Sequence, residues 1–412
     1  MKRLIIAALV SGCCSSLAIA AEKTPAKAYP VYWMSISTQN QSIPGMTAEA
    51  GGMMSMFGGG AAFGPRREMN LQLVSPKQSQ QPEAFHDIPA SLKMGKSLPL
   101  ITPKSEKAPV ESQREYGERT EKMEKPKLRM LVYWGCSEEV GKGQPKVIDT
   151  EKMSMEAFGR AMTSRGPSPQ YPPSPRSGWT YGDWPNRENN EKIPKEASLV
   201  GEHLIRGNYL NEIRFSLDSR RDFMAPVELS TTGSPQENLK VSWKGIPTAT
   251  AYLATAMAHN QKNGEMIFWS SSEVQDLGTG LMTYLSNGDV QRFLKERVLM
   301  GPDRTACTIP KGIFKDTEGT MLQFIAYGDE LNLVYPPKPK DPKQPWNPQW
   351  SVKVRLKSTG MSPLMAAEDQ GGSKRTKKGK SRKEEPVEEQ QPEEKPSKGG
   401  GFVDGFKGMF GF

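Results

Sequence analysis

The chain has 412 residues, with 55 Lys and Arg against 46 Asp and Glu for a formal charge of +9, and it carries 34 prolines and 39 glycines. That length leaves room for two or three domains, while the proline and glycine content describes modest cores joined by long irregular segments. The mild positive charge favours acidic surfaces without requiring them. Nothing marks a nucleic-acid binder, because the single lysine-rich block is followed by glutamates that neutralise it and has no interleaved aromatics.

Residues 1–20 read as an export signal. Lys2 and Arg3 precede an apolar run over 4–10, and Ala18-Ile19-Ala20 fits a small-x-small cleavage site. The run is too short to span a bilayer. The same stretch holds Val10-Ser11-Gly12-Cys13, a lipobox-like pattern that offers Cys13 as a lipidated N-terminus, the minority reading. Either way the expected location is the periplasm or the cell envelope. Cleavage after Ala20 leaves Cys136 and Cys307, which an oxidising compartment would pair in a disulfide; the alternative is two buried free thiols. The three histidines, His86, His203 and His259, have no ligand spacing, so neither a metal site nor a cofactor is expected.

Residues 21–125 are expected to hold isolated strands and linker. Tyr32, Met34 and Ile36 alternate, as do Met69, Leu71 and Leu73. Between them Met46, Met53, Met54 and Met56 lie in a glycine-rich stretch. Their thioethers are weak candidate ligands for Cu(I), and an adaptable apolar loop is the preferred reading. From Ser75 onward the composition reads as extended linker.

Residues 126–225 are expected to form a small β unit. The run 128–136 is apolar on both faces, a central strand. A helix is expected over 151–162 with Asp149 or Thr150 as cap, followed by a proline-rich surface excursion over 164–190 and a strand through Ile213, Phe215 and Leu217. Glu202 and His203 are adjacent, and an imidazole beside a carboxylate can act as a general base. Neighbours on a strand point to opposite faces, however, so a satisfied structural histidine is the stronger reading. No G-x-S-x-G elbow, phosphate loop or dinucleotide fingerprint is present.

Residues 226–360 carry the clearest pattern. Leu239, Val241 and Trp243 alternate with polar residues, and after a break at Gly245-Ile246-Pro247 so do Tyr252, Ala254, Ala256 and Ala258. Asn263-Gly264 then turns the chain into an apolar run over 266–269, a hairpin. A helix capped by Asp289 follows, with Val290, Phe293, Leu294, Arg297 and Val298 on one stripe. Three strands are expected around Cys307, over 321–327 and over 350–356. In the last, Lys353, Arg355 and Lys357 form an outer strip of positive charge.

The fold class expected is mainly β. Seven short strands with a core Trp in the second and a Tyr in the third, at Trp243 and Tyr252, resemble the fibronectin type III and immunoglobulin-like sandwich over about residues 226–358. That resemblance implies an adhesive or spacer module. The tail over 361–412 reads as disordered and charged, ending in an amphipathic stretch. There Phe402, Val403, Phe406, Met409 and Phe410 share one side and can touch a membrane surface or another envelope protein. Trp179, Trp184, Trp346 and Trp350 sit in or beside proline-rich loops, where exposed indoles can stack on sugars. The function expected is a non-catalytic structural or adhesive role in the envelope. The alternatives are a glycan- or peptidoglycan-binding protein and an envelope hydrolase with His203 as base.

Overall fold

The computed structural model describes residues 28–41, 64–103, 128–162, 165–260 and 262–364. The readings of Cys13, of Met46, Met53, Met54 and Met56, and of Phe402, Val403, Phe406, Met409 and Phe410 therefore lie outside the described residues. Among the described residues the chain is mainly β, and no helix is long and apolar enough to cross a membrane.

The two alternating runs near the N-terminus are partners. β1 (Val31–Gln41) pairs antiparallel with β2 (Gly64–Ser75), setting Tyr32, Met34 and Ile36 opposite Leu73, Leu71 and Met69, all six buried. The stretch after Ser75, which composition marks as linker, instead carries β3 (Ala84–Asp87) and β4 (Ser97–Pro99), with Leu92 and Leu98 in the core. Then come β5 (Arg129–Trp134), β6 (Lys146–Asp149), helix α1 (Met155–Met162), β7 (Thr180–Trp184), β8 (Gly201–Gly207) and β9 (Ile213–Leu217). The C-terminal part adds β10 (Leu229–Gly233), β11 (Leu239–Trp243), β12 (Ala251–Asn260), β13 (Glu265–Ser270), helix α2 (Asn287–Lys295), β14 (Ala306–Ile309), β15 (Glu318–Tyr335) and β16 (Trp350–Pro363).

These strands form three sheets. The largest has nine strands in the order β6-β5-β13-β12-β15-β16-β1-β2-β7, and the others are β10-β11-β14 and β4-β3-β8-β9. The large sheet thus draws strands from all three segments into which composition divides the described chain. One of its faces meets both smaller sheets in a single core, where the Trp243 ring lies 4.7 Å from that of Phe324 and 5.6 Å from that of Tyr252. The Tyr252 hydroxyl accepts a 3.0 Å hydrogen bond from the Ile246 amide, so the buried phenol is satisfied.

The opposite face of the same strands is covered too. Leu253, Ile325 and Tyr327 pack under α2 and its flanking loops with Phe293 and Val298, and Met130, Val132 and Phe268 pack with Phe158 and Ala161 of α1. This explains the alanines of β12. A strand covered on both faces has no polar side, and its residues must be small where two layers close on it. The β12–β13 hairpin forms as expected, with Asn260 opposite Glu265 and Gly264 at φ +71° in the turn.

Several local expectations shift. Helix α1 starts at Met155 rather than near 151, with the Ser154 hydroxyl accepting from the Ala157 amide in place of an Asp149 or Thr150 cap. In α2 the cap is Ser286, whose hydroxyl accepts from the Asp289 amide. Asp289 sits inside the first turn, where its carboxylate favours the positive helix end. Arg297, expected on the helical stripe, lies beyond the end of α2 at φ +58°, and the Val298 amide reaches back to the Phe293 carbonyl. The proline-rich excursion is fastened rather than loose. The Asp289 carboxylate accepts from the Ser168 amide and hydroxyl, both at 3.0 Å, and the Asp276 carboxylate accepts from the Arg165 amide at 3.1 Å.

The large sheet also contains an approximate internal two-fold about β12 and β15. β1 lies between parallel β16 and antiparallel β2, and β5 lies between parallel β13 and antiparallel β6. The tripeptide Val-Tyr-Trp recurs at equivalent places, residues 31–33 and 132–134. In both copies the tyrosine, Tyr32 or Tyr133, meets the core shared with the smaller sheets.

Cys136, just after β5, is bonded to Cys307 in β14, with Cα atoms 5.0 Å apart and a sequence separation of 171. The bond ties the nine-stranded sheet's β5 side to the three-stranded sheet. Replacing both cysteines (C136A/C307A) should lower the free energy of unfolding by about 2–5 kcal/mol, the usual effect of removing a bridge that closes a long loop; urea melts of the oxidised protein and the double variant measure it.

Candidate functional site

His203 projects from β8 into the core, while Glu202 on the same strand is exposed on the other side. The imidazole is stacked on Phe215, with ring centroids 5.1 Å apart and planes 6° apart. Both of its nitrogens are engaged: Nε2 lies 2.7 Å from the Leu199 carbonyl and Nδ1 lies 2.9 Å from Nε2 of His86. His86 Nδ1 in turn lies 2.9 Å from the Tyr32 hydroxyl. Only one proton arrangement satisfies this chain with neutral rings. His203 Nε2–H donates to the carbonyl, His86 Nε2–H donates to His203 Nδ1, and the tyrosine donates to His86 Nδ1. Burial holds both imidazoles below the usual histidine range, and for His86 the neighbouring ring adds to the effect.

The sequence points to His203 but not to its partners. His86 and Tyr32 lie 117 and 171 positions away from it in the chain and meet it only because β3 pairs with β8 beneath β1. The result is a polar strut between sheets. The groove of about 840 Å³ lined by Arg67, Met69, Trp184 and Met224 includes neither Glu202 nor His203.

The four loop tryptophans separate into two kinds. Trp184 is buried in β7 and its indole donates to Asn189 at 2.6 Å, while the Trp179 ring carries the Arg176 guanidinium 3.3 Å from its centroid. The other two sit at the tip of the long β15–β16 hairpin. Trp350 stacks on Tyr335 with centroids 5.3 Å apart and planes 14° apart, and the Trp346 indole donates to the Pro336 carbonyl at 2.9 Å. Tyr335 is 48% exposed and Trp346 37%. The loop between the strands carries Lys338, Lys340 and Lys343 against one acid, Asp341. All four are exposed, and no ion pair engages the lysines among the described residues. The Gln349 amide donates to the Tyr335 carbonyl and the Lys343 amide to the Asp341 carboxylate, so the tip is held by its own backbone.

The strip of Lys353, Arg355 and Lys357 is where alternation along β16 puts it, but water does not cover it as expected. Arg355 is only 8% exposed, and its guanidinium carbon lies 5.0 Å from the Trp33 ring centroid and 4.4 Å from that of Tyr284. Lys357 lies 4.7 Å from the Tyr284 centroid, and Lys353 pairs with buried Glu330 at 2.9 Å. Two contacts from distant parts of the chain cause this. Trp33 comes from β1, parallel to β16, and Tyr284 from the segment between β13 and α2. Burial lowers the affinity of Arg355 and Lys357 for their protons, and the Arg355 charge adds to the effect at Lys357.

No protein-family model matches the chain, and no curated protein matches its sequence.

The neutral histidine pair gives stability a pH dependence of known sign. In the unfolded chain each histidine gains a proton near pH 6.5, whereas in the folded chain it resists doing so. The unfolded state therefore binds more protons below that pH, and stability falls as the pH drops from about 6.5, by at most about 1.4 kcal/mol per pH unit for each histidine. Urea melts at pH 7.5, 6.0 and 5.0 should show this loss, and the double replacement H86Q/H203Q should flatten it while lowering stability at pH 7.5.

Proposed function

We propose that this is an exported, non-catalytic binding protein of the bacterial envelope, whose ligand is a glycan of the peptidoglycan kind held at the β15–β16 hairpin tip. The observation that carries the reading is the exposed pair Tyr335 and Trp346, with Tyr335 backed by the partly buried Trp350, beside three lysines that have no ion pair among the described residues. Flat aromatic faces suit the apolar faces of amino-sugar rings, and rigid aromatics bind with little loss of side-chain freedom. The lysines suit the carboxylates of stem peptides. Export is supported by the leader-like residues 1–20 and by the Cys136–Cys307 bond, which belongs to an oxidising compartment.

The scaffold is read as a fibronectin type III-like module over about residues 226–358. What supports it is strand order. Of the seven strands from β10 to β16, the first, second and fifth form one sheet, and the fourth, third, sixth and seventh lie side by side in the other. Trp243 and Tyr252 sit between the two. Helix α2, between the fourth and fifth strands, is an addition to that plan. The hydrolase alternative has less support, because both nitrogens of His203 are occupied inside the core.

Co-sedimentation with purified peptidoglycan sacculi tests the ligand. The wild-type protein should pellet with sacculi, and W346A should bind at least about tenfold more weakly, since a central aromatic contact is worth more than about 1.4 kcal/mol; failure of the wild type to pellet would end the glycan reading. Fractionation tests the location. Full-length protein should appear in the periplasmic or envelope fraction, and comparison with C13S and with a variant lacking 401–412 separates lipid anchoring from contact through the apolar end.

A further inference from the structure

We propose that the outward face of β1 and β16 is a binding site for a tetrahedral oxyanion, a phosphate or sulfate group, gripped by Arg355 and Lys357. The two cations come from alternate positions of one strand and flank the same Tyr284 ring. Parallel pairing places Ser35 beside Arg355 and Ser37 beside Lys357, both serines nearly fully buried. Two cations and the Ser35 hydroxyl thus share one small patch, with the Ser37 hydroxyl beside it turned to Glu68, and this donor set suits an oxyanion with several acceptor oxygens.

What calls for an anion is an excess of positive charge: Glu330 lies opposite Arg355 and Glu68 opposite Ser37, but among the described residues the ion pairs of these two acids are with Lys353 and Arg66. Arg355 uses only Nε, which donates to the Ser35 hydroxyl at 2.8 Å; its two terminal nitrogens have no hydrogen-bond partner among the described residues, and Lys357 has no ion pair there. None of these three nitrogens is among the buried polar atoms left without a partner, which are the Tyr209 hydroxyl, Arg221 Nε and Trp243 Nε1. Each therefore keeps some exposure to solvent. The nearby acids are engaged elsewhere. Glu330 binds Lys353 and Asn332, and Glu68 binds Arg66 and Gln39, with Ser37 at 3.4 Å. Two adjacent cations kept mostly out of water, beside acids that are each paired with another cation, are costly unless a ligand supplies the missing charge.

The site lies on the side of the sheet away from the core, and the proposal does not depend on glycan binding at the hairpin tip. On the other side of the internal two-fold, the outward face of β5 and β13 carries Met130, Val132, Met266 and Phe268 and is closed by α1.

The test uses the full-length protein at constant ionic strength, titrated with inorganic phosphate and with sulfate against chloride. Saturable binding by calorimetry is expected at millimolar or lower concentration, with a matching rise in melting temperature and a change in fluorescence that W33F removes while heat of binding remains. K357Q should weaken binding at least tenfold and remove the anion-dependent rise in melting temperature. R355Q should do so more strongly, and because burial makes that variant the more prone to misfold, the less buried Lys357 carries the decision. Vesicles of phosphatidylglycerol in phosphatidylcholine form a second arm. Vesicle binding that K357Q abolishes, with no response to free phosphate or sulfate, would assign the oxyanion to a lipid headgroup. If neither arm gives saturable binding, or K357Q binds as the wild type does, the proposal is overturned.

Discussion

Burial of both faces of β12 and β15 is the constraint to which the rest of the structure answers. Ala251, Leu253, Ile325 and Tyr327 point one way and Tyr252, Ala254, Phe324 and Ala326 the other, and none of the eight meets water. A strand pair in that position can hold its backbone polar groups only through the ladder, so its neighbours on either side must be strands. They are β13 and β16, and each of these in turn takes a parallel partner from the N-terminal half of the chain. The burial also requires two covers. One is the pair of smaller sheets, and the other is the segment from 271 to 299 with α2 at its centre, which a chain of seven plain strands would not need.

Closing the core across segments so far apart in sequence brings polar groups inside, and the chain answers each one. The two buried histidines share hydrogen bonds in a line that ends on a carbonyl, which leaves neither ring with reason to charge. Asp289 and Asp276, both nearly fully buried, collect amides from the proline-rich segment and so convert two buried charges into anchors for a stretch that has no ladder of its own. Charge-assisted bonds of this kind are stronger than neutral ones, and they suit a segment whose prolines have removed several of its donors.

How much could be read beforehand follows from what kind of information each element carries. Alternation within a short window revealed β1, β2, β11, β12 and the hairpin at Asn263-Gly264, because period two is a local property. The pairing of β1 with β16 was not legible, since Val31 and Ser351 are 320 residues apart and a parallel partner leaves no turn between the strands. β3 and β4 were hidden for a different reason. They are four and three residues long, set among Pro, Lys and Ser, and they are strands only because β8 and β9 complete their sheet. At the candidate sites the same division holds. Lys353, Arg355 and Lys357 could be placed on one side of a strand, but whether that side faced water depended on Trp33 and Tyr284, which arrive from other parts of the chain. Trp346 was visible as an indole among prolines, and its exposure only as geometry.

The internal two-fold sharpens the meaning of that charged row. Two halves of one sheet, each with a Val-Tyr-Trp strand between a parallel and an antiparallel neighbour, began with the same problem: an outward face beside the central strands. In one half Trp134 joins Met130, Val132 and Phe268 under a helix, the arrangement that adds stability by removing apolar area from water. In the other half the matching Trp33 lies against Lys353 and Arg355, and beyond it Ser35 and Ser37 stand beside Arg355 and Lys357. Desolvating cations there works against stability, and cation–π contacts recover only part of it, about 0.5–2 kcal/mol each. The outward face of β5 and β13 is apolar up to Trp134, whereas that of β1 and β16 is charged from Trp33 onward. A face that gives up stability in this way is accounted for by what it can hold.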